Sequence, residues 1–237
     1  MSSHIPFDKD INLHGQYRYT GENAPLSSQL ANKGQSRLVH QFLRDSDSFI
    51  LDIGCGDGEY TTEIAGIHPN SSVLGIDPSS LAIAVAVKKW STIKNLKFED
   101  TDLSSLVEQE RFFDVAVIRG VLHHAENPDE ILRLAGLICT RVIVLEPNGL
   151  NFVLKVIEKT SRYHIEHGER SFSRWKITRW ANLAGFTRVR MDVGVLVPFF
   201  CPSWIARILK VLEPSLTRIP LVRWLISGTQ VFEFRRS

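Results

Sequence analysis

Three glycines at alternate positions follow an apolar run, and this pattern can build a ligand-binding turn. The run 49–53 is apolar apart from Asp52 and leads directly into Gly54, Gly56 and Gly58. A short apolar run that ends in glycines predicts a buried strand of a parallel sheet, followed by a tight turn. Glycines there let a ligand lie against the backbone, because a Cβ atom would block that approach.

The spacing of these glycines argues against a dinucleotide. The dinucleotide turn requires glycine where this chain has Glu59, and a carboxylate at that point would repel a pyrophosphate. A nicotinamide dehydrogenase is therefore disfavoured. An acid inside the strand, followed by this turn, favours a nucleotide-like ligand with a cationic end and no phosphate.

Further reactive side chains end later apolar runs. The run 72–76 ends in Asp77, 19 residues after Gly58, and the run 112–118 is followed closely by His123 and His124. A neutral imidazole can accept a proton near physiological pH, so either histidine could act as a general base.

Four ordered motifs together resemble the class I S-adenosylmethionine-dependent methyltransferases. They are the glycine turn, the strand ending in Asp77, the segment 96–103 and the strand with its exit at 112–124. The resemblance is strong over residues 45–148 and is nearest the branch of small-molecule enzymes such as those of quinone biosynthesis. It implies S-adenosylmethionine as the cofactor and S-adenosylhomocysteine as the product.

The resemblance also implies roles for single residues. Asp77 would bind both ribose hydroxyls, for which a carboxylate has the right two-oxygen geometry. Asp102 would bind the adenine amino group, and Asp52 would act around the glycine turn and the cofactor's amino group. Arg119 and Gly120 would flank the methionine end. The expected cofactor-binding set is Tyr19, Asp52, Gly54, Cys55, Gly56, Asp77, Pro78, Asp102, Leu103, Arg119 and Gly120.

The N-terminal stretch 14–20 is dense in polar aromatic groups. Members of the resembled family often fold such a segment over the cofactor. Tyr17, Arg18 and Tyr19 would then close the site, with Arg18 on the cofactor carboxylate. The alternative is a frayed terminus.

Methyl transfer mainly requires a nucleophile held in line with the sulfonium methyl group. His123 and His124 are the candidate catalytic bases because they follow the fourth strand, at the edge where open α/β sheets bind ligands. The alternative is that they cap the sheet or contact substrate. Glu146 ends the fifth strand on the expected substrate side. O-, N- and C-methylation remain equally open.

A polar stretch at 161–170 is expected to face the acceptor through Tyr163, His164, His167 and Arg170. Its histidines and glutamates match no metal-binding spacing, and the resembled family needs no metal. We therefore expect no metal site.

Alternating strand and helix patterns predict an α/β fold with a doubly wound, Rossmann-like sheet. The resemblance implies seven strands, mostly parallel, with an antiparallel last strand. We expect one domain over 1–237, consisting of a cofactor-covering segment (1–47), a cofactor-binding core (48–148) and a substrate-side half (149–237). Strands are expected near 48–53, 72–77, 96–100, 113–118, 140–146, 186–193 and 230–235, and helices near 28–44, 58–66, 79–91 and 127–138, with a further helix ending at Gly185.

A helical insertion at 194–228 precedes the last strand. Helical spacing places Trp204, Ile205, Ile208, Leu209 and Leu212 on one side and Arg207 with Lys210 on the other. Pro214 and Pro220 predict breaks. The insertion is either a hydrophobic lid or membrane-facing surface, or a helix pair packed on the sheet.

The net charge of +2 hides an asymmetry between the two parts of the chain. Residues 1–149 carry 13 basic and 20 acidic side chains, whereas residues 150–237 carry 15 and 6. The acidic part suits a cationic cofactor, and the basic part suits an anionic partner. Three widely spaced cysteines, with no secretory signal and no apolar run long enough to span a membrane, favour a cytoplasmic protein that could still contact a membrane peripherally.

The leading function is methyl transfer to a small or lipid-like acceptor. A nucleic-acid methyltransferase is the enzymatic alternative, but the chain has no Asn-Pro-Pro-Tyr-type motif and no appended RNA-binding module, so no nucleic-acid partner is expected. A non-catalytic S-adenosylmethionine-binding partner protein is the other alternative. The sequence favours no oligomeric state.

Overall fold

The sheet is the centre of the fold in this computed structural model, which describes residues 5–21, 23–160, 170–199 and 201–236. Its strands are β1 (Phe49–Ile53), β2 (Ser72–Asp77), β3 (Leu96–Asp100), β4 (Phe113–Arg119), β5 (Cys139–Pro147), β6 (Phe186–Gly194) and β7 (Thr229–Arg236). They are ordered β3-β2-β1-β4-β5-β7-β6. The pairs among β1 to β5 are parallel, and β7 runs antiparallel to both β5 and β6. The fold class expected from the sequence is confirmed.

Both faces of the sheet are buried, which explains the near-continuous apolar runs. Successive side chains of a strand point to opposite faces. On β1, Leu51 and Ile53 belong to one core cluster, whereas Ile50 belongs to the other. Exposing either apolar cluster to water would be costly, so helices pack on both sides of the sheet.

Helices cover the two faces and the edges of the sheet. They are α1 (Ile5–His14), α2 (Leu26–His40), α3 (Glu59–Ile67), α4 (Ser80–Trp90), α5 (Leu103–Glu108), α6 (Pro128–Ile138), α7 (Phe152–Thr160), α8 (Arg174–Leu183), α9 (Ser203–Leu216) and α10 (Pro220–Ile226). Three begin at side-chain caps, because Ser79, Asp102 and Ser173 accept hydrogen bonds from backbone N–H groups of the first turn. The caps at Ser79 and Asp102 fix where the chain leaves β2 and β3, next to the site.

The expected strands agree with the structure to within a residue or two, but several helices differ. α2 ends at His40 rather than near Arg44, and α1, α5 and α7 were not expected from the sequence. α5 is only six residues long. A single short turn carries too little hydrophobic periodicity to be recognised.

The expected break at Pro214 is wrong. Pro214 lies inside α9, which continues to Leu216. A proline has no backbone N–H, so it cannot donate a hydrogen bond to a carbonyl of the preceding turn. Here that loss falls in the last turn of the helix, which therefore simply ends two residues later. Pro220, by contrast, starts α10 at the position where a missing N–H costs nothing.

The apolar residues of α9 are not packed together as one buried face. Trp204, Ile208 and Leu212 are exposed, at 65%, 50% and 44%, whereas Ile205 and Leu209 are half-buried. None of the described helices combines the length and apolarity needed to cross a bilayer.

Candidate cofactor and methyl-transfer site

A cavity of about 630 Å³ opens at the carboxyl ends of β1, β2, β4 and β5. This is the edge at which parallel α/β sheets bind ligands, because the strand exits leave a crevice there. The expected site residues that line it are Tyr19, Gly54, Cys55, Gly56, Asp77, Pro78, Asp102, Leu103, Arg119, Gly120, His123, His124 and Arg170. Asp52 does not line it, and Tyr163, His164 and His167 lie outside the described residues.

The glycine turn forms one wall of the cavity. Gly54 and Gly56 have φ values of +74° and +55°, a left-handed conformation that residues with a Cβ rarely adopt. A Cβ atom on Gly56 would also overlap the ring of Tyr17. Glycine is therefore needed in this turn for two reasons. It adopts the left-handed backbone conformation, and its lack of a Cβ atom leaves room for the segment that covers the turn.

Asp77 sits between this turn and the next helix. Its two carboxylate oxygens accept hydrogen bonds from the backbone N–H of Gly56 at 3.0 Å and of Ser79 at 2.9 Å. The side chain is 9% exposed and lines the cavity. A carboxylate fixed in this way can accept two further hydroxyl donors, which fits a ribose.

Asp102 has a structural task as well as a place in the cavity wall. Its Oδ1 accepts hydrogen bonds from Ser104 Oγ at 2.7 Å and from the backbone N–H of Ser105 at 2.9 Å, so it caps α5. These two hydrogen bonds, of which the one from Ser104 has the larger effect, hold the pKa of Asp102 below its ordinary value. The carboxylate is therefore kept charged at the position expected to meet the adenine amino group.

The N-terminal segment is folded over the glycine turn, and Asp57 holds it there. Asp57 accepts hydrogen bonds from Thr20 Oγ1 at 2.5 Å and from the backbone N–H of Tyr17 at 3.3 Å. Burial raises the pKa of Asp57, and these bonds offset part of that rise. Asp57 was missed by sequence reasoning, although its place between two motif glycines is a usable signal.

Aromatic rings continue this cover across the cavity. Tyr17 stacks on Tyr19, with ring centroids 5.6 Å apart, and Tyr19 meets the edge of Phe199 at 6.2 Å. Arg18, expected on the cofactor carboxylate, is exposed and does not line the cavity.

Arg119, expected at the methionine end, lines the cavity, and its guanidinium turns toward α2. It donates to Ser36 Oγ at 2.9 Å and lies 3.5 Å from the ring of Tyr60. Within the described part of the chain, no carboxylate comes within ion-pair distance of it. A half-buried cation with neutral partners fits an anionic group of a ligand.

Asp52 is buried behind the turn, where it accepts a hydrogen bond from Thr61 Oγ1 at 2.7 Å. Burial raises its pKa to about 6, and the Thr61 bond limits the rise. Its contact links β1 to α3. Any effect on a ligand would therefore pass through the turn rather than through direct contact.

His123 and Glu146 form a buried pair at the opposite wall. The Nδ1 atom of His123 lies 2.7 Å from Glu146 Oε2, and the other carboxylate oxygen accepts the backbone N–H groups of Val121 and Leu122 at 3.0 and 2.8 Å. A carboxylate accepts hydrogen bonds, so Nδ1 donates and Nε2 is the ring nitrogen suited to take a proton. The ring of His124 lies 3.8 Å from that of His123.

The Glu146 carboxylate is fully buried, and the sequence indicated only that Glu146 faces the substrate side. Its pairing with His123 could not be read from residues 23 positions apart. The arrangement is a histidine oriented by a carboxylate, which is the geometry of a general base with its positioning group.

Part of the cavity lining is apolar, and an exposed arginine also lines the cavity. Leu154, Val195, Val197 and Phe199 line it, and Arg170 donates to the backbone oxygen of Ala125 at 2.7 Å. The lining residues of the insertion belong to its first and last segments, 195–199 and 228, and none belongs to α9 or α10. Thus the strand-side ends of the insertion, rather than its helices, meet the cavity.

The stretch whose histidines and glutamates were considered as metal ligands, 161–169, lies outside the described residues. Across residues 5–160, 170–199 and 201–236, apart from Glu22, no group of three or more histidine, cysteine or acidic side chains is placed to hold a metal ion. The glycine turn, the carboxylates of Asp77 and Asp102, and the cavity together fit a ribose- and adenine-bearing molecule with a charged amino-acid end.

Sequence comparison identifies a family. The family model described as "Methyltransferase domain" matches residues 44–183. A malonyl-[acyl-carrier protein] O-methyltransferase of Halalkalibacterium halodurans is 31% identical over 133 residues, which cover 50% of this chain and 46% of the relative. A tRNA (guanine-N(7)-)-methyltransferase of Cytophaga hutchinsonii is 30% identical over 111 residues, 41% of this chain and 46% of the relative. The chain spans about half the length of these curated relatives.

Solved structures share the fold at low identity. The crystal structure of magnesium protoporphyrin IX methyltransferase from Synechocystis PCC 6803, with bound SAH, aligns with a TM-score of 0.66 and 16% identity, covering 100% of this chain and 95% of that one. The [4+2]-cyclase SpnF aligns with a TM-score of 0.65 and 18% identity, covering 99% and 92%. Because this second structure is a cyclase, the shared fold alone does not decide the reaction.

Proposed function

The chain belongs to the methyltransferase-domain family, and from that premise we propose that it transfers the methyl group of S-adenosylmethionine to a small, largely apolar acceptor. When bound, the cofactor supplies a methyl group on a sulfonium that leaves as a neutral thioether. The residues of this chain then have to bind the cofactor, orient the acceptor and remove a proton from it.

The cofactor would lie along the carboxyl ends of the strands. Asp77 would hold the ribose hydroxyls and Asp102 the adenine amino group. We assign the cofactor carboxylate to Arg119 rather than to Arg18, because Arg119 is half-buried and lines the cavity, whereas Arg18 is exposed and does not. Tyr17 and Tyr19 would cover the ligand, held by the bonds to Asp57.

The observation that carries the proposal is the pair of His123 and Glu146 at the cavity wall, with Nδ1 and Oε2 2.7 Å apart. His123 would accept the acceptor's proton at Nε2, and Glu146 would hold Nδ1–H and stabilise the imidazolium that forms. A base is useful for a hydroxyl or protonated amine acceptor, so the pair favours O- or N-methylation.

The acceptor class follows from the lining beyond His123. Leu154, Val195, Val197 and Phe199 offer an apolar wall, and Arg170 adds one exposed cation. Such a lining favours an apolar molecule with a polar nucleophile at one end.

A labelling experiment tests the reaction and the acceptor class together. The protein is incubated with S-adenosylmethionine carrying a labelled methyl group and with cell extract separated into lipid and aqueous pools. We expect label in the lipid pool, and the His123→Ala variant should label that pool at least about a hundredfold more slowly. Label in the aqueous pool alone would replace the lipid-like acceptor with a polar one. Cofactor binding without label in either pool would support a non-catalytic binding protein.

We further propose that α9 touches an anionic membrane that presents the acceptor. Trp204, Ile208 and Leu212 form an exposed apolar stripe, extended by Val211 at 76% exposure. Arg207 is also exposed, and on the helix it flanks this stripe. Lys210 is paired with Glu213 at 2.8 Å and contributes less. Apolar residues flanked by an exposed cation are typical of interfacial helices.

Co-sedimentation with vesicles tests this membrane contact. Vesicles containing anionic lipid should bind more protein than neutral ones, and salt should weaken the binding, because each basic residue near the surface contributes about 1 kcal/mol. The double substitution Trp204→Ser and Ile208→Ser should abolish vesicle binding, whereas Ile219→Ser should leave most of it. Equal, negligible binding to both vesicle types would contradict the membrane contact and leave methyl transfer unaffected.

A further inference from the structure

A second cavity, of about 730 Å³, lies between α8, β6 and α10. Its lining includes Arg174, Arg179 and Arg188, together with Trp175 and Trp224, and it shares none of its lining residues with the cofactor cavity. We propose that this arginine groove (Arg174, Arg179, Arg188, Trp175, Trp224) binds an organic phosphate, with the phosphate on the guanidinium groups and the organic part against the indoles.

Among the described residues, the three arginines have no anionic partner. Of the residues that line the groove, none is acidic. In the described ranges, no carboxylate forms an ion pair with Arg174, Arg179 or Arg188. Three like charges around one cavity repel one another, so a bound anion would relieve an existing cost.

Two of the guanidinium groups are nonetheless held in place, by neutral partners. Arg174 lies over the rings of Trp175 and Trp224, at 4.5 and 4.9 Å from their centroids. Arg188 donates to Thr178 Oγ1 at 3.1 Å. Such contacts fix position without neutralising charge, so little side-chain freedom remains to be lost when an anion binds.

The acid nearest in sequence to the groove is already engaged. Asp192 follows Met191, which lines the groove, but its carboxylate accepts a hydrogen bond from Arg223 at 2.5 Å. It therefore does not compensate the arginine groove. The charge asymmetry of the chain is thus concentrated here into a definite concave site.

The chemistry of the lining selects the ligand class. Guanidinium forks pair with both carboxylates and phosphates, but three of them around one cavity favour a phosphate, which offers more oxygens and more negative charge than a single carboxylate. Trp175 is 60% exposed, which suits stacking against an aromatic or apolar group rather than the binding of a bare inorganic ion. The volume lies in the range of small-molecule sites.

The test uses a nucleoside diphosphate without adenine, because adenine could enter the cofactor cavity. The protein is first saturated with S-adenosylhomocysteine, and UDP is then titrated in by calorimetry, with uridine and inorganic pyrophosphate as separate ligands. UDP should bind, uridine should not, and pyrophosphate should bind more weakly than UDP because it lacks a group to meet the indoles.

Variants locate the binding. Arg179→Gln and Arg188→Gln should each weaken UDP binding about tenfold, the usual scale for one charge-assisted hydrogen bond. Arg37→Gln, which removes an exposed arginine of α2 outside the groove, should change nothing. Unchanged affinity for S-adenosylhomocysteine shows that each variant is folded.

Three results would overturn the proposal. They are the absence of UDP binding at millimolar concentration, equal UDP affinity in all three variants, and pyrophosphate binding as tightly as UDP. A single-stranded oligonucleotide that displaces UDP at a much lower concentration would assign the groove to nucleic acid instead. None of these results bears on methyl transfer, which uses the other cavity.

Discussion

The cofactor-binding core and the helical insertion differ in which side chains they bury and which they expose. In the core, Asp52, Asp57 and Glu146 are 4%, 2% and 0% exposed, and each carboxylate has hydrogen-bond partners. In α9, Trp204 and Val211 are 65% and 76% exposed. One region buries charge, and the other leaves hydrophobic surface in water.

Both choices cost stability, so each points to a use beyond folding. Buried carboxylates are expensive unless they are paired, and here they hold the glycine turn, the covering segment and His123. Exposed apolar residues cost less, and a contiguous stripe of them marks a surface that another molecule covers. The core is thus arranged for a ligand inside the protein, whereas α9 carries the exposed stripe for which we propose a contact outside it.

The largest effect should come from the core. His123→Ala should bind S-adenosylhomocysteine normally but lose about 10²–10⁴ in turnover, because the base is gone while the cradle remains. His124→Ala, at the neighbouring ring, should lose far less. Rates with labelled S-adenosylmethionine and a calorimetric titration measure the two quantities. Full turnover in both variants would mean that the site only positions its substrates.

The same substitution made in both regions tests the contrast in packing. Leu132→Ala should lower the free energy of unfolding by about 2–5 kcal/mol, because this side chain is fully buried. Leu212→Ala in α9 should change it by no more than about 0.5 kcal/mol. Urea denaturation of both variants gives the comparison. Equal losses would show that α9 is packed as firmly as the core.

Asp52→Asn should stabilise the protein at neutral pH. Burial raises the folded-state pKa of Asp52 to about 6 from an ordinary 3.8, so the native state binds the proton more tightly than the unfolded state. The resulting stability is complete below about pH 4 and is lost as the pH rises through 6, a change of about 3 kcal/mol. The variant should match the wild type at pH 4 and exceed it above pH 6 in urea unfolding. A constant difference between the two proteins at every pH would contradict this account.

Asp77→Ala should weaken cofactor binding by about 1.5–3 kcal/mol, the scale of a hydrogen bond to a charged group. Asp100→Ala is the matched control, since Asp100 is in register with Asp77 on the neighbouring strand but is exposed and outside the cavity. Calorimetry with S-adenosylhomocysteine compares them. Similar affinities for the two variants would remove Asp77 from the ribose site.

The contrast between the regions also explains where sequence reasoning succeeded. The strands of the core were located within a residue or two, because apolar runs ended by Gly54, Asp77 or Arg119 are local signals. In the insertion, helical spacing located the helix but assigned Arg207 and Lys210 together to the side opposite its apolar residues. The structure instead has Lys210 paired with Glu213 and Arg207 beside the exposed stripe.

The sequence by itself determined the family, the fold class and most of the residues around the cofactor cavity. Each of these depends on short segments whose residue types and spacing are constrained by local backbone geometry, as in the glycine turn. The tertiary structure decided the pairings. Glu146 meets His123, Asp57 holds Tyr17 and Thr20, and the arginines of α8 and β6 meet in one groove. These contacts join separate elements, and their distances are set by how the helices pack on the sheet, which no local pattern encodes.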